Sequence, residues 1–171
     1  PVAMAMDLLT IALCNVGNIC ERRVARLTDE KLSGGLPAFL IKKRGEEGLS
    51  SGLMISQCTA ASLAAENRCL SNPSSVNSIP TGANQEDHVS MGLTSARKAK
   101  DVLKNTEYIV AIELMCAAQG LEFRGVEKSG KGTLQAYRFL RKIVPTLEED
   151  AELTPLIEAT ASAIHGGAFV E

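Results

Sequence analysis

The chain has 171 residues, 45% of them hydrophobic and 22% charged, proportions that suit one folded domain and argue against disorder. Its 18 basic and 20 acidic residues leave a formal charge of -2, so there is no broad cationic surface for a phosphate backbone, which argues against a nucleic-acid partner. With no Trp, two Tyr and four Phe, any core has to be built from Leu, Ile, Val, Met and Ala, and small residues favour close helix contacts.

From residue 2 to about 27 the chain is dominated by Ala, Met, Leu, Ile and Val, first on nearly all faces and then as a stripe at Val16, Ile19, Cys20, Val24 and Leu27. That pattern predicts a long helix, deeply buried at its start. Thr28-Asp29 and Ser33-Gly34-Gly35-Leu36-Pro37 punctuate its end. The run Lys42-Lys43-Arg44-Gly45-Glu46-Glu47-Gly48 reads as a solvated loop. Ser50 or Ser51 can cap a second helix reaching about residue 70, with Met54, Cys58, Ala61, Ala65 and Cys69 as its small, apolar face. Asn72-Pro73 and Ile79-Pro80 then force an extended or turning path on which chemistry can hang.

The third predicted helix starts at Ser90 or Thr94, carries a stripe of Ala96, Ala99, Leu103, Thr106, Val110 and Leu114, and stops at Gly120. At about 1.5 Å per residue it is roughly 40 Å long, a length that belongs to a bundle. Two shorter helices follow, over residues 133–144 and after Pro145, where Thr146 and Glu149 have capping-box spacing. No β-alternation or repeat is visible, so the fold class is all-α, a long-helix bundle, with residues 1–171 as a single helical unit.

No segment reads as transmembrane, since the run from Leu8 to Val16 is broken by Thr10 and Asn15 and falls short of about 20 residues. No basic segment precedes it, so it is not a secretory signal either. The chain enters a buried-looking helix directly at Pro1, which reads as an internal starting point. Cys14, Cys20, Cys58, Cys69 and Cys116 are odd in number and show no C-x-x-C spacing. They read as reduced thiols of a cytoplasmic protein, and Cys58, Cys69 and Cys116 have no evident His base.

The densest group of polar side chains is the stretch from Thr81 through Gly82-Ala83-Asn84-Gln85-Glu86-Asp87 to His88. If Gln85 and Glu86 stand at a helix entry, free N–H groups and the positive end of the dipole favour an anion there. The residues alone favour a plainer reading, in which Glu86 and Asp87 cap the helix and Asn84 closes an Asx-turn. Met54, by periodicity alone, is core. His88 has no second His at ligand spacing, and no metal is predicted. Glu21-Arg22-Arg23 reads as an ion-pairing surface motif.

The same loop, Ser78-Ile79-Pro80-Thr81 through Met91-Gly92, resembles the substrate-side loop of histidine ammonia-lyases, and the resemblance continues through Glu66-Asn67, Gly52-Leu53-Met54-Ile55 and Glu21-Arg22-Arg23. It covers essentially the whole chain but only about the last third of such an enzyme. The resemblance implies the carboxy-terminal part of the ammonia-lyase (aspartase/fumarase-like) fold and the conversion of L-histidine to urocanate and ammonia. It implies that Gln85 hydrogen-bonds near the electrophile or substrate, that Glu86 faces the substrate imidazole, and that Met54 lines the pocket. A carboxylate suits that task, because it can both orient an imidazole and stabilise its cation. The phenylalanine- and tyrosine-specific relatives usually carry a neutral amide at the position of Glu86.

The family's methylidene-imidazolone electrophile forms from an internal Ala-Ser-Gly triplet, which this chain lacks: Ala60-Ala61-Ser62-Leu63 has no Gly and Leu32-Ser33-Gly34 no Ala. The family's upstream tyrosine and arginine are absent too. The expectation is therefore a portion inactive alone, partnered by the missing amino-terminal part in a homotetramer whose subunits complete one another's active sites. The alternative is a non-catalytic helical interaction or oligomerisation module from the same family.

Overall fold

The computed structural model describes residues 1–42 and 48–170. Among these, five helices and two short 3₁₀ turns form the body, and no strand is present. They are α1 (Val2–Thr28), α2 (Met54–Leu70), α3 (Gly92–Arg124), α4 (Lys131–Leu140) and α5 (Thr154–His165). The charged run predicted as a loop lies, at residues 43–47, outside the described residues; Lys42 before it is drawn in to pair with Glu122 at 2.9 Å.

Helices α1 and α3 run side by side in the same direction. Thr106 Oγ1 donates to Leu13 O at 3.4 Å, Arg23 Nη2 to Glu113 Oε2 at 3.0 Å, and Leu27 lies against Gly120. α2 runs the opposite way between them: Gln57 Nε2 reaches Glu21 at 3.5 Å, whereas Asn67, ten residues further on, lies against Gly17. A Cβ on Gly17 would stand 3.3 Å from both Asn67 Nδ2 and Ile109 Cδ1, so the missing side chain is what lets the three helices close. Val24, Leu40, Val102, Ile109, Ile112, Cys116 and Leu140 fill the core.

Several expectations need correction. The start of α1 is not deeply buried: Val2, Met4, Leu8, Val16 and Ile19 face outward, whereas Asp7, Thr10, Cys14, Gly17 and Glu21 face the other helices. The helix is apolar nearly all round, so composition could not choose the inner face; packing chose the small and polar side. α1 is also long and apolar enough, at a mean hydropathy of 1.6, to cross a membrane by length and composition, a property not apparent from the run between Leu8 and Val16. Second, the small stripe of α2 at Cys58, Ala65 and Cys69 is exposed, and the helix instead buries Ser56, Ala60, Ala64 and Asn67. Both faces carry Ala; the buried bond from Asn67 Nδ2 to Thr106 Oγ1 at 3.3 Å goes with the inner one.

Third, two helix ends fall elsewhere. α3 passes through Gly120, where the side-chain gap admits Leu36, and stops at Gly125, whose φ of +91° suits glycine. The spacing of Thr146 and Glu149 does not start a helix, because Thr146 Oγ1 donates to Glu122 at 2.8 Å instead; α5 begins at Thr154.

Neither Ser50 nor Ser51 caps α2. Ser50 Oγ, Ser51 N and Gly52 N all donate to the carboxylate of Asp150, at 2.7, 2.7 and 2.8 Å. These bonds hold the Asp150 carboxyl below its ordinary value of 3.8. Gly52 has φ +52°, and a Cβ there would lie 2.6 Å from Phe39 O. Gly52→Ala is expected to destabilise the protein by about 2 kcal/mol or more through strain and clash together, read as a lower urea midpoint at unchanged m; a midpoint equal to that of the parent would contradict it.

Candidate functional site

The segment between α2 and α3 is anchored at its base and open at its tip. Ser75 N donates to Asp7 Oδ2 at 2.8 Å, and Lys98 Nζ donates to Ser74 Oγ at 3.0 Å and to Asn72 O. Burial raises the pKa of Asp7, but hydrogen bonds from Ser75 and Ser74 outweigh it and hold the carboxyl at about 2. Asp7, which in the sequence only interrupts an apolar run, is thus the charged post to which the loop is tied. A lone acid inside an apolar helix was the signal for it.

Beyond this base the chain makes a tight turn. Thr81 N donates to Glu86 O and Glu86 N to Thr81 O, each at 3.2 Å, and Gln85 N donates to Gly82 O at 3.2 Å. Between them Gly82, Ala83 and Asn84 take φ of +58°, +56° and +66°. Three consecutive left-handed residues are rare, and each one that is not glycine carries a cost of roughly 1–2 kcal/mol; such strain collects at functional sites. Met91, just before α3, is a further left-handed residue at φ +55°.

Gln85 and Glu86 therefore do not stand at a helix entry, as the sequence suggested, but in a turn five or more residues ahead of Gly92, where α3 starts. Residues 77–88 are all exposed. Glu86 Oε2 accepts from Thr81 Oγ1 at 3.3 Å, while Oε1 and the Gln85 carboxamide have no partner among the described residues. His88 is exposed; His165 pairs with Glu107 at 2.9 Å. Among the described residues no three His, Cys, Asp or Glu side chains are grouped to hold a metal.

Met54, half-buried, begins α2 at the other end of the body, next to the Asp150 clamp. The 17 residues of α2 span about 25 Å, so Met54 and the base of the loop lie at opposite ends of that helix. Of the Glu21-Arg22-Arg23 motif, Arg22 and Arg23 are exposed, but Glu21 is buried beneath the bidentate Arg22 bonds of 2.6 Å. The cysteines are free thiols, with Cys58 and Cys69 exposed and Cys14, Cys20 and Cys116 buried. Burial pushes Cys20 and Cys116 up to about 12, which leaves both unreactive as nucleophiles.

The sequence model of the family described as aromatic amino acid lyase matches residues 1–142. The chain belongs to the aromatic amino acid lyase family. It is 51% identical, over 99% of its length, to a histidine ammonia-lyase of Natranaerobius thermophilus, of which it covers 33%. Among solved structures of aromatic amino acid lyase relatives, it is similar to the histidine ammonia-lyase from Trypanosoma cruzi, with 44% identity, a TM-score of 0.90, and coverage of 98% of this chain and 32% of that one. The tyrosine aminomutase from Streptomyces globisporus is similar at 40% identity and a TM-score of 0.94, with coverage of 98% and 32%. The chain thus spans about a third of the length of the lyases it matches. Because a mutase and a lyase share this part of the fold, the fold alone does not fix the reaction.

Proposed function

We propose that the chain is the carboxy-terminal portion of a histidine ammonia-lyase, which releases ammonia from L-histidine to give urocanate once joined to the portion that bears Ala-Ser-Gly. The observation that carries the reading is the Glu86 carboxylate, presented on an exposed, conformationally strained turn with one oxygen that has no partner among the described residues. An exposed acceptor of this kind is half of a site, to be closed by a surface from elsewhere. Glu86 is the group that faces the imidazole, accepting its N–H and stabilising positive charge on the ring. Gln85, with its carboxamide unengaged, is the donor available to the electrophile or the substrate, and Met54 supplies an apolar wall at a second site-facing position.

The methylidene-imidazolone, when present, supplies the electron sink for the elimination; this chain has no Ala-Ser-Gly from which to form it. The free amide of Gln85 fits a neighbour of that polarity. Met54 and the loop leave opposite ends of α2, which fits an assembly in which different subunits contribute to one site, and a homotetramer in the cytoplasm is the form proposed. The outward apolar face of α1, with Val2, Met4, Leu8, Val16 and Ile19 exposed, is the surface by which such subunits pack, since a patch of that kind marks an interaction site.

Co-expression with the Ala-Ser-Gly-bearing portion, followed by a urocanate absorbance assay, is expected to give turnover that neither portion shows alone. A stable complex with no turnover on histidine would support instead the second reading, a helical oligomerisation module, which the same α1 face favours.

A further inference from the structure

The geometry points to Thr81 as the residue that positions the Glu86 carboxylate, fixing how its other oxygen is turned toward an N–H donor of the substrate's azole ring. This rests on the reading of Glu86 as the substrate-facing group. The two residues exchange both backbone hydrogen bonds, at 3.2 Å each, and directly paired residues of an antiparallel bridge send their side chains to the same side. The backbone thus places the Thr81 hydroxyl beside the Glu86 side chain, and Oγ1 donates to Oε2 at 3.3 Å.

Each part of the arrangement limits motion. Threonine is stiff at χ1, so its hydroxyl is held at small entropic cost. Glutamate has three rotatable bonds and is otherwise among the costlier side chains to immobilise. The left-handed run Gly82-Ala83-Asn84 closes the turn between them. With Oε2 already accepting from Thr81 and Oε1 without a partner among the described residues, Oε1 is the oxygen with its full acceptor capacity open, and the hydroxyl fixes the direction in which it faces. An imidazole sends its two N–H groups in divergent directions and asks for one oxygen at a time. Thr81 is a positioning residue in this scheme, because it acts through Glu86.

The test is a double-mutant cycle in the complete enzyme with histidine as substrate, using Thr81→Val, Thr81→Ser, Glu86→Gln and the Thr81→Val/Glu86→Gln pair. Valine keeps the shape and the backbone bonds and removes only the hydroxyl. Thr81→Val is expected to lower kcat by about tenfold, the scale of one hydrogen bond to a charged group, with KM and melting temperature nearly unchanged. Thr81→Ser is expected to restore most of the loss, and Thr81→Val to cost nothing further once Glu86 is Gln.

Parental kcat in Thr81→Val alongside a large loss in Glu86→Gln would overturn the role of Thr81 and leave Glu86 standing. Parental turnover in Glu86→Gln would remove the reading of Glu86 itself. Equal losses from Thr81→Val in both backgrounds, or no rescue by serine, would mean that Thr81 serves only the turn. Should the valine variant fail to fold, Thr81→Ala and Thr81→Ser carry the same comparison.

Discussion

Glu86→Gln in the complete enzyme is expected to lower turnover of histidine by roughly 100-fold and to leave the melting temperature within a degree or so of the parent. The size follows from the charge: a hydrogen bond to an ionised group contributes about 1.5–3 kcal/mol, and about 2.7 kcal/mol corresponds to two orders of magnitude in rate. Glutamine keeps the length and the acceptor oxygen but stabilises no cation. The stability half follows from exposure. Glu86 lies on the surface, and its side chain accepts a hydrogen bond from the paired Thr81, so its replacement disturbs no core. Turnover and thermal stability falling together would remove Glu86 from the site.

The largest stability effect is expected at Glu122. Its Oε1 accepts from Tyr137 Oη at 2.9 Å, Arg141 Nε at 2.8 Å and Thr146 Oγ1 at 2.8 Å, and its Oε2 pairs with Lys42 Nζ at 2.9 Å. The carboxylate thereby joins α3, α4, the segment after α4 and the loop after α1, with only 10% of its side chain exposed. Glu122→Ala strands these donors and is expected to cost about 3 kcal/mol, the lower end of what removing one partner of a buried pair costs. Amide exchange is expected to speed up most in α4, which the carboxylate pins to the body.

The pH dependence has a definite sign. Burial raises the Glu122 pKa, but the hydrogen bonds from Lys42, Thr146 and Tyr137 and the charge of Arg141 outweigh it and hold the carboxyl below 4.5. A group depressed in the folded state contributes its stability above the unfolded value and loses it as pH falls through the folded one. The gap between parent and Glu122→Ala is therefore expected to be full at neutral pH and to narrow below about 4.5. A gap that stays constant from neutral pH to pH ~3 would show that packing, and not the ionised carboxylate, accounts for the loss.

The three long helices were legible in the sequence because each has an apolar content and length that no loop can carry. Which way they face was not. α1 is apolar on nearly every side, so only its few polar residues distinguish the faces, and these turn inward: Asp7 to Ser75, Thr10 Oγ1 to its own Met6 carbonyl at 2.7 Å. α2 offers Ala on two faces, and the choice between them is made by the bond from Asn67 to Thr106 across the bundle. Side-chain bonds across a hundred residues, such as that of Ser50 to Asp150, leave no local trace, which is why Ser50 read as a cap.

At the candidate site the residue types were legible and the backbone was not. Gly82 and Asn84 tolerate left-handed φ and announce a turn, but Ala83 between them gives no sign that it shares that conformation. Hence the residue types alone suggest a helix entry, and nothing in them announces the pairing of Thr81 with Glu86.

The Asp150 clamp bears on where this part of the molecule can be divided. The family match ends at residue 142, yet the carboxylate that secures the first turn before α2 comes from residue 150. Ile157 and Ala161 of α5 lie in the same hydrophobic cluster as Leu53 and Met115. The stretch matched by the family model and the mechanically closed unit thus have different borders. A polypeptide trimmed to residues 1–142 would keep the stretch that the family model matches and lose the strut that sets Met54 in place.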